Sequence, residues 1–206
     1  MSSKWKRSSL PAPLTEIAAI AKEEMVRSGI GDRCIAGARI CIDLLKKYGF
    51  SVKPASVKVF AWNEIYQQKF KALGRVMKRT EIPTGGYSIG LGAGIPNNYE
   101  WCGHLVAIIG GRTLVDLTLD HISRPDHDIY LPPYFIRDVS RKFLNGEKPL
   151  VIRDPHGPTY FTYGAYPLDL SYDSAPLWNT KRVTAPVVEA IADRLSLKMK
   201  TEISQM

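Results

Sequence analysis

The 206-residue sequence lacks the features of a membrane-spanning protein and those of a disulfide-stabilised protein. Nowhere does it approach the roughly 18 consecutive apolar residues of a membrane span. The basic start, MSSKWKRSSLPAP, is followed by no apolar run and so does not resemble a secretory signal. Only three cysteines occur, an odd number without framework spacing, which argues against structural disulfides. We therefore expect a cytoplasmic protein with no membrane partner, in which each thiol needs its own explanation.

The net charge of +8 raises the question of a nucleic-acid partner. The basic residues are spread along the whole chain, however, rather than collected into one patch. Lys46-Lys47 and Lys78-Arg79 fit helix C-termini, where cations interact favourably with the helix dipole. The charge distribution therefore does not favour nucleic-acid binding. A chain of this length suits one domain, and we expect a single domain over residues 1–206 with residues 1–11 as a flexible basic tail.

Periodic apolar residues predict five helices, and runs of β-branched and aromatic residues predict an antiparallel sheet. The best-delimited helix covers about residues 32–48, because Asp32 can cap its start and Gly49 can end it. Two apolar runs on either side of Gly110-Gly111 predict a hairpin. The other predicted helices are 12–29, 63–79, 134–143 and 185–198. The predicted strands are Val57–Trp62, an edge strand within 84–98, His104–Ile109, Thr113–Thr118, Leu150–Arg153 and Thr159–Tyr163, and Pro54 and Ser56 allow a break before the first of them. Helices first, then strands, then a helix predict an α+β fold with segregated layers.

Three residues in these elements have the types that thiol catalysis needs. Cys34 lies in the first turn of the predicted second helix, and a helix start favours the thiolate form of a cysteine. His104 opens the hairpin, and a turn at Gly110-Gly111 puts the residue opposite it at about 116–118, so Asp116 can lie beside it. An aspartate within Leu-Val-Asp-Leu is costly to bury without such a partner. We predict that Cys34 is a nucleophile, His104 its base and Asp116 the orienting carboxylate, and that Cys41 is core.

A cysteine at a helix start, Gly103-His104 at a strand start, a Gly-Gly turn and Leu-Val-Asp follow one another in this order. The combination, over about residues 30–119, resembles the transglutaminase-like branch of the papain-like cysteine peptidases. It implies one catalytic domain, with the nucleophile-bearing helix packed on an antiparallel sheet that carries the other two residues. The chain departs from several relatives in having Arg33 and Ile35, and no tryptophan, next to the nucleophile.

The same resemblance implies a function that needs no cofactor: a hydrolase or acyl-transferase acting on an amide or thioester carbonyl through a Cys34 thioester. The leading expectation is a peptidase or amidase whose partner is a peptide or protein substrate. The backbone N–H of Cys34 is one candidate donor to the oxyanion. The side-chain candidates are Trp62, Asn63, Tyr87 and Trp101. His121 and His127, in a proline-bounded loop, are candidates for the substrate-contacting rim, and the glycine-rich stretch 84–98 for a flap over the cleft.

Other interpretations are compatible with the same residues. Glutamine deamidation and transglutaminase-type acyl transfer pass through the same thioester. A non-catalytic basic protein of the same fold would instead bind a protein or a nucleic acid. Cys102, His104, His121 and His127 are residue types that zinc accepts, but their spacing does not match the paired patterns of structural zinc sites. No metal is therefore predicted.

Overall fold

Helices cover one face of a seven-stranded antiparallel sheet in the computed structural model, which describes residues 10–30, 33–75, 77–92, 103–154 and 157–204. The helices are α1 (Leu14–Arg27), α2 (Cys34–Lys47), α3 (Glu64–Leu73), α4 (Arg141–Leu144), α5 (Pro176–Asn179) and α6 (Lys181–Ser204). The strands are β1 (Val52–Trp62), β2 (Ser88–Leu91), β3 (His104–Ile109), β4 (Thr113–Asp116), β5 (Phe135–Asp138), β6 (Leu150–Arg153) and β7 (Tyr160–Ala165). The predicted α+β class is thereby confirmed.

The strand order is β5-β4-β3-β1-β7-β6, and β2 pairs with the second half of β1. In a flat sheet four steps of about 4.8 Å would separate β5 from β7 by about 19 Å. The rings of Phe135 on β5 and Tyr163 on β7 are nevertheless stacked, with centroids 5.6 Å apart. The sheet is therefore curled, and its concave face encloses a core of its own.

Two apolar clusters fill the two sides of the sheet. Helices α1, α2 and α6 pack their apolar faces against Ala107 and Val115 on the outer side. The concave side is filled by alternate residues of the strands and by the segments that follow β4: Val57, Val59, Val106, Ile108, Leu114, Leu119, Ile122, Ile129, Phe143, Phe161 and Tyr163. His104 has the same strand parity as Val106 and Ile108, so its side chain starts on the concave side.

The hairpin prediction is confirmed. Ile109 pairs with Thr113 around Gly110 and Gly111, whose φ values of 57° and 66° are those of a tight turn that favours glycine. The predicted strands at 150–153 and 159–163 and the edge strand within 84–98 are also present, as β6, β7 and β2. Pairing between β3 and β4 extends only to Ala107 and Val115, so the two strands diverge towards His104 and Asp116.

Several boundaries differ from the prediction. The break allowed by Pro54 and Ser56 does not occur, because β1 starts at Val52, Pro54 pairs with Ala107 and Ser56 pairs with Leu105. Proline is tolerated there since β7 pairs only from Val57 onwards, which leaves this half of β1 with one neighbouring strand. The helix predicted at 134–143 is wrong in its first half, which forms the strand β5. The segment pairs with β4, and Phe135 and Ile136 pack on opposite sides of the sheet, as successive residues of a strand do.

The remaining helices keep their predicted identity but change length. Gly74, with φ of 64°, ends α3 at Leu73, well before residue 79. The last helix is longer than predicted and runs through Pro186. Asp32 lies outside the described residues, and the N-cap position of α2 belongs to Arg33 rather than to Asp32. None of the helices in the described part of the chain has the length and apolar character needed to cross a membrane.

Candidate active site

His104 and Asp116 form a fully buried pair inside the diverging end of the hairpin. His104 Nε2 donates to Asp116 Oδ2 at 2.6 Å, and the two side chains are both fully shielded from solvent. The register of the hairpin places Asp116 diagonally to His104 rather than directly opposite. The diagonal relation and the divergence of the strands leave room for the ring beside the carboxylate.

Asp116 accepts further hydrogen bonds that use both of its oxygens. The Thr118 backbone N–H donates to Oδ1 at 2.9 Å, and the Thr118 hydroxyl donates to the same oxygen at 3.3 Å. The Tyr163 hydroxyl donates to Oδ2 at 2.8 Å. A buried carboxylate with this many donors is stable in its ionised form.

The pair shifts the titration of both of its members. Burial by itself lowers the pKa of His104, but the negative charge of Asp116, their hydrogen bond and the Cys34 thiol outweigh it and raise the pKa to about 10. Burial by itself raises the pKa of Asp116, but the charge and hydrogen bond of His104 and the bonds from Thr118 and Tyr163 hold that pKa below its ordinary value. An imidazolium and a carboxylate are therefore the stable forms at neutral pH.

Cys34 meets this pair at the point where β3 begins. It is the first residue of α2, it is partly exposed, and its thiol donates to the carbonyl oxygen of Gly103 with Sγ and O 3.8 Å apart. The thiol lies close enough to the His104 ring to raise the pKa of the imidazole by hydrogen bonding and charge. His104 Nδ1 is buried and has no hydrogen-bond partner of good geometry among the described residues. The free ring nitrogen and the nearby thiol give the arrangement that a thiol nucleophile and its base require.

The start of α2 also leaves donors for an anion. The Arg33 side chain does not cap the helix, and the first turn contains no acidic residue. The first N–H groups of a helix have no partner within the helix, and they lie at the positive end of its dipole. The Cys34 backbone N–H is one of these groups.

Gly37 brings this helix start close to the Asp116 network. A Cβ atom at Gly37 would lie 2.8 Å from Thr118 Cγ2 and 3.2 Å from Met25 Cε. Only a glycine permits that approach without displacing Thr118, whose N–H and hydroxyl both bind Asp116. Nothing in the local sequence marks Gly37 or Thr118, because their roles depend on contacts between elements distant in the chain.

The structure separates the two predicted rim histidines. The ring of His121 is stacked on that of His104, with centroids 5.5 Å apart, and its Nδ1 donates to the Thr118 carbonyl. His121 therefore lies directly beside the candidate site. His127 lies elsewhere, stacked on Tyr87 with centroids 3.7 Å apart.

Three of the side chains considered as oxyanion donors lie at the other end of β1. Val57 pairs with His104, whereas Trp62 is five residues further on, about 17 Å at 3.3 Å per residue. Trp62 Nε1 donates to Gln67. Asn63 is buried and caps α3, donating to the carbonyls of Gly85 and His127 and accepting from Tyr66 and Tyr87 N–H groups.

Those contacts correct the assignment of Trp62 and Asn63, because their side-chain donors are already used in structural hydrogen bonds. Tyr87 is correspondingly tied to Asn63 and His127, away from His104. Trp101 lies outside the described residues, as does Cys102 of the zinc alternative. Within the described ranges, no group of three His, Cys, Asp or Glu side chains could hold a metal ion.

Cys41 behaves as the predicted core residue. It is buried among apolar side chains of α1, α2 and β4, and burial together with the charge of Asp116 raises the pKa of its thiol to about 12. This thiol is therefore protonated at neutral pH.

Comparison of the chain with family models, curated proteins and solved structures gave no significant match.

Proposed function

We propose that the chain is a thiol-dependent hydrolase or acyl-transferase that acts on an amide or thioester carbonyl through a Cys34 thioester. The observation that carries the proposal is the buried His104–Asp116 pair, which has a free ring nitrogen next to the thiol at the start of a helix. A buried ion pair is a poor stabilising device in a core, and a role in catalysis gives a reason for its presence.

The chemistry follows from the positions of the protons. In the reactive form the proton of the Cys34 thiol has moved to His104 Nδ1, which leaves a thiolate beside an imidazolium that Asp116 stabilises through Nε2–H. The thiolate attacks the carbonyl carbon, and the N–H groups at the start of α2 bind the resulting oxyanion. When the C–N bond breaks, His104 returns the proton to the leaving amine, and an acyl thioester remains on Cys34.

The second half of the cycle uses the same residues in reverse. His104, neutral after the first half, takes a proton from the incoming water or amine, which attacks the thioester carbonyl, and the Cys34 thiolate is expelled beside the regenerated imidazolium. Water gives hydrolysis, and an amine gives acyl transfer. Glutamine deamidation is the case in which ammonia leaves and water enters.

We further propose that the fold is papain-like, of the transglutaminase type. The support is architectural: the cysteine begins a helix that packs on an antiparallel sheet, and the histidine and aspartate lie on adjacent strands of that sheet. The proposed activity is that of a peptidase or amidase on a peptide or protein.

The test is a product assay on the intact chain with an unbiased peptide library. New peptide termini identify peptidase activity, incorporation of a fluorescent amine identifies acyl transfer, and glutamate formation without cleavage identifies deamidation. Cys34→Ser and His104→Gln should both abolish the product. The glutamine keeps an N–H at the distance of Nε2 from the backbone, so Asp116 retains a donor while the base is lost.

Cys41→Ser is the matched control, because it changes a thiol in the same helix that is buried in the core. Product formation by folded Cys41→Ser and its loss in Cys34→Ser would support the proposal. Activity that persists in folded Cys34→Ser would contradict it. A folded wild-type protein that binds a partner but turns over none of the three substrate classes would favour the binding-protein interpretation.

A further inference from the structure

Tyr163 is a buried tyrosine whose hydroxyl reaches the candidate site from the opposite side of the curled sheet. It lies on β7, it is 0% exposed, and its ring packs between Phe135 and Phe161. Packing alone would be served equally by phenylalanine. The hydroxyl instead donates to Asp116 Oδ2, the oxygen that also accepts from His104.

We infer that Tyr163 is a positioning residue, which holds the Asp116 carboxylate in the one orientation that keeps His104 Nδ1 directed at Cys34. This inference rests on the proposed function. Thr118 fixes Oδ1, and Tyr163 with His104 fixes Oδ2, so the plane of the carboxylate is determined from both of its ends. Without the Tyr163 hydroxyl the carboxylate plane can rotate about the Cβ–Cγ bond. The His104 ring, which is hydrogen-bonded to Oδ2, then loses its alignment with Cys34.

The position of Tyr163 in the sheet explains how it can do this. The strand β7 is separated from β4 by β1 and β3 in the strand order, and only the curl of the sheet brings its side chain to Asp116. The curl is thus part of the site, because it supplies a rigid donor from a strand remote from the hairpin. Rigid, packed support for a reacting group is what precise catalytic geometry requires.

The hydroxyl also has an electrostatic effect on Asp116. The titratable groups that face Asp116 are His104 from β3, Tyr163 from β7 and Cys41 from α2, while Cys34 faces the other side of His104. The hydrogen bond from Tyr163 is one of the causes that lower the pKa of Asp116. Its removal should therefore raise the pH at which Asp116 takes up a proton.

The experiment compares Tyr163→Phe with Tyr66→Phe in two readouts. Tyr66 is also a buried tyrosine in an aromatic cluster, but it lies in the cluster around Trp62, away from Asp116. The first readout is the rate of Cys34 alkylation by iodoacetamide at pH 7, followed by peptide mapping. The second is the titration midpoint of Asp116 from carboxylate NMR with labelled aspartate, which a purely packing role would not move.

We expect Tyr163→Phe to lower the alkylation rate about tenfold, a factor that corresponds to the free energy of one hydrogen bond to a charged group. We expect the Asp116 midpoint to move to higher pH, and Tyr66→Phe to change neither readout. If Tyr163→Phe does not fold, fluorotyrosine placed at position 163 keeps the ring and makes a stronger donor. It should move the midpoint to lower pH.

An unchanged alkylation rate in folded Tyr163→Phe would overturn the inference, as would an unchanged Asp116 midpoint in that variant or with fluorotyrosine. His104→Gln, measured in parallel, distinguishes failure of the Tyr163 inference from failure of the proposed function. If it slows Cys34 alkylation while Tyr163→Phe does not, the proposed function stands and the role of Tyr163 falls. If His104→Gln leaves alkylation unchanged, the proposed function falls, and the NMR midpoint alone decides whether Tyr163 acts on Asp116.

Discussion

Replacement of Asp116 by asparagine tests the buried pair most severely. The side chain accepts from His104, from Tyr163 and twice from Thr118. An amide of the same shape has one acceptor oxygen, and its NH₂ group is a donor. In Asp116→Asn the NH₂ group must therefore face either the Thr118 N–H, which is a donor only, or His104, which can accept from it only as the tautomer with its proton on Nδ1.

The magnitude follows from the loss of one member of a buried charged pair, which costs about 3–5 kcal/mol. We expect the free energy of unfolding to fall by about that amount. His104 also loses the charge that raises its pKa and the acceptor that fixes its tautomer. In serine hydrolases the equivalent loss of the carboxylate charge lowers kcat by about 10⁴, and we expect Cys34 alkylation at pH 7 to fall by at least about tenfold on the same reasoning.

The assay is urea unfolding followed by tryptophan fluorescence, with alkylation kinetics on the same preparations. Asp138→Asn is the matched control, because Asp138 also accepts from a threonine and a cationic side chain but lies on the surface. The control should unfold and react like the wild type. A free energy of unfolding for Asp116→Asn within about 1 kcal/mol of the wild type, the range of a surface pair, together with unchanged alkylation, would refute the reasoning.

Three further predictions concern the surroundings of the pair. Gly37→Ala should lower the thermal midpoint, because the overpacking cost of about 1–3 kcal/mol against Thr118 exceeds the gain in helix propensity; a higher midpoint would contradict it. Asn63→Ala should lower the free energy of unfolding by about 2–4 kcal/mol through lost hydrogen bonds and leave Cys34 alkylation unchanged; slower alkylation would restore Asn63 as an oxyanion donor. The stability advantage of wild type over His104→Gln should be full below about pH 6.5 and should shrink as the pH rises towards 10, because the folded state holds the imidazole proton up to a pKa of about 10. Urea unfolding at pH 6, 8 and 9.5 measures this difference, and an advantage that grows with pH has the wrong sign.

The parts of the fold that the sequence predicted well are those set by local chemistry. The hairpin follows from two apolar runs around Gly110-Gly111, and its turn fixes the spacing of His104 and Asp116. The presence and the end of α2 follow from apolar periodicity and from Gly49, whereas its start is shifted from the Asp32 cap to Arg33. Local signals therefore identified the three residues that the structure brings together.

The parts that the sequence could not predict depend on long-range register and on curl. Nothing in the sequence of β7 indicates that the strand curls round to bring Tyr163 to Asp116. A tyrosine in a buried strand indicates that its hydroxyl has a hydrogen-bond partner, but it does not indicate which residue that partner is. Trp62 and Asn63 are candidate donors by residue type alone, and the length of β1 beyond Val57 places them far from His104. The segment at 134–138 carries aromatic and β-branched residues that are compatible with a helix or a strand. It forms a strand because it pairs with β4.

The measurement that tests the central claim most directly is competitive alkylation of the native thiols at pH 6. An ordinary cysteine is about 0.3% thiolate at that pH and reacts slowly. We predict that Cys34 reacts at least about tenfold faster than an unstructured thiol, that buried Cys41 does not react, and that His104→Gln removes the advantage of Cys34. Reaction of Cys34 at the rate of an unstructured thiol, unchanged in folded His104→Gln, would contradict the assignment of Cys34 as nucleophile and His104 as its base.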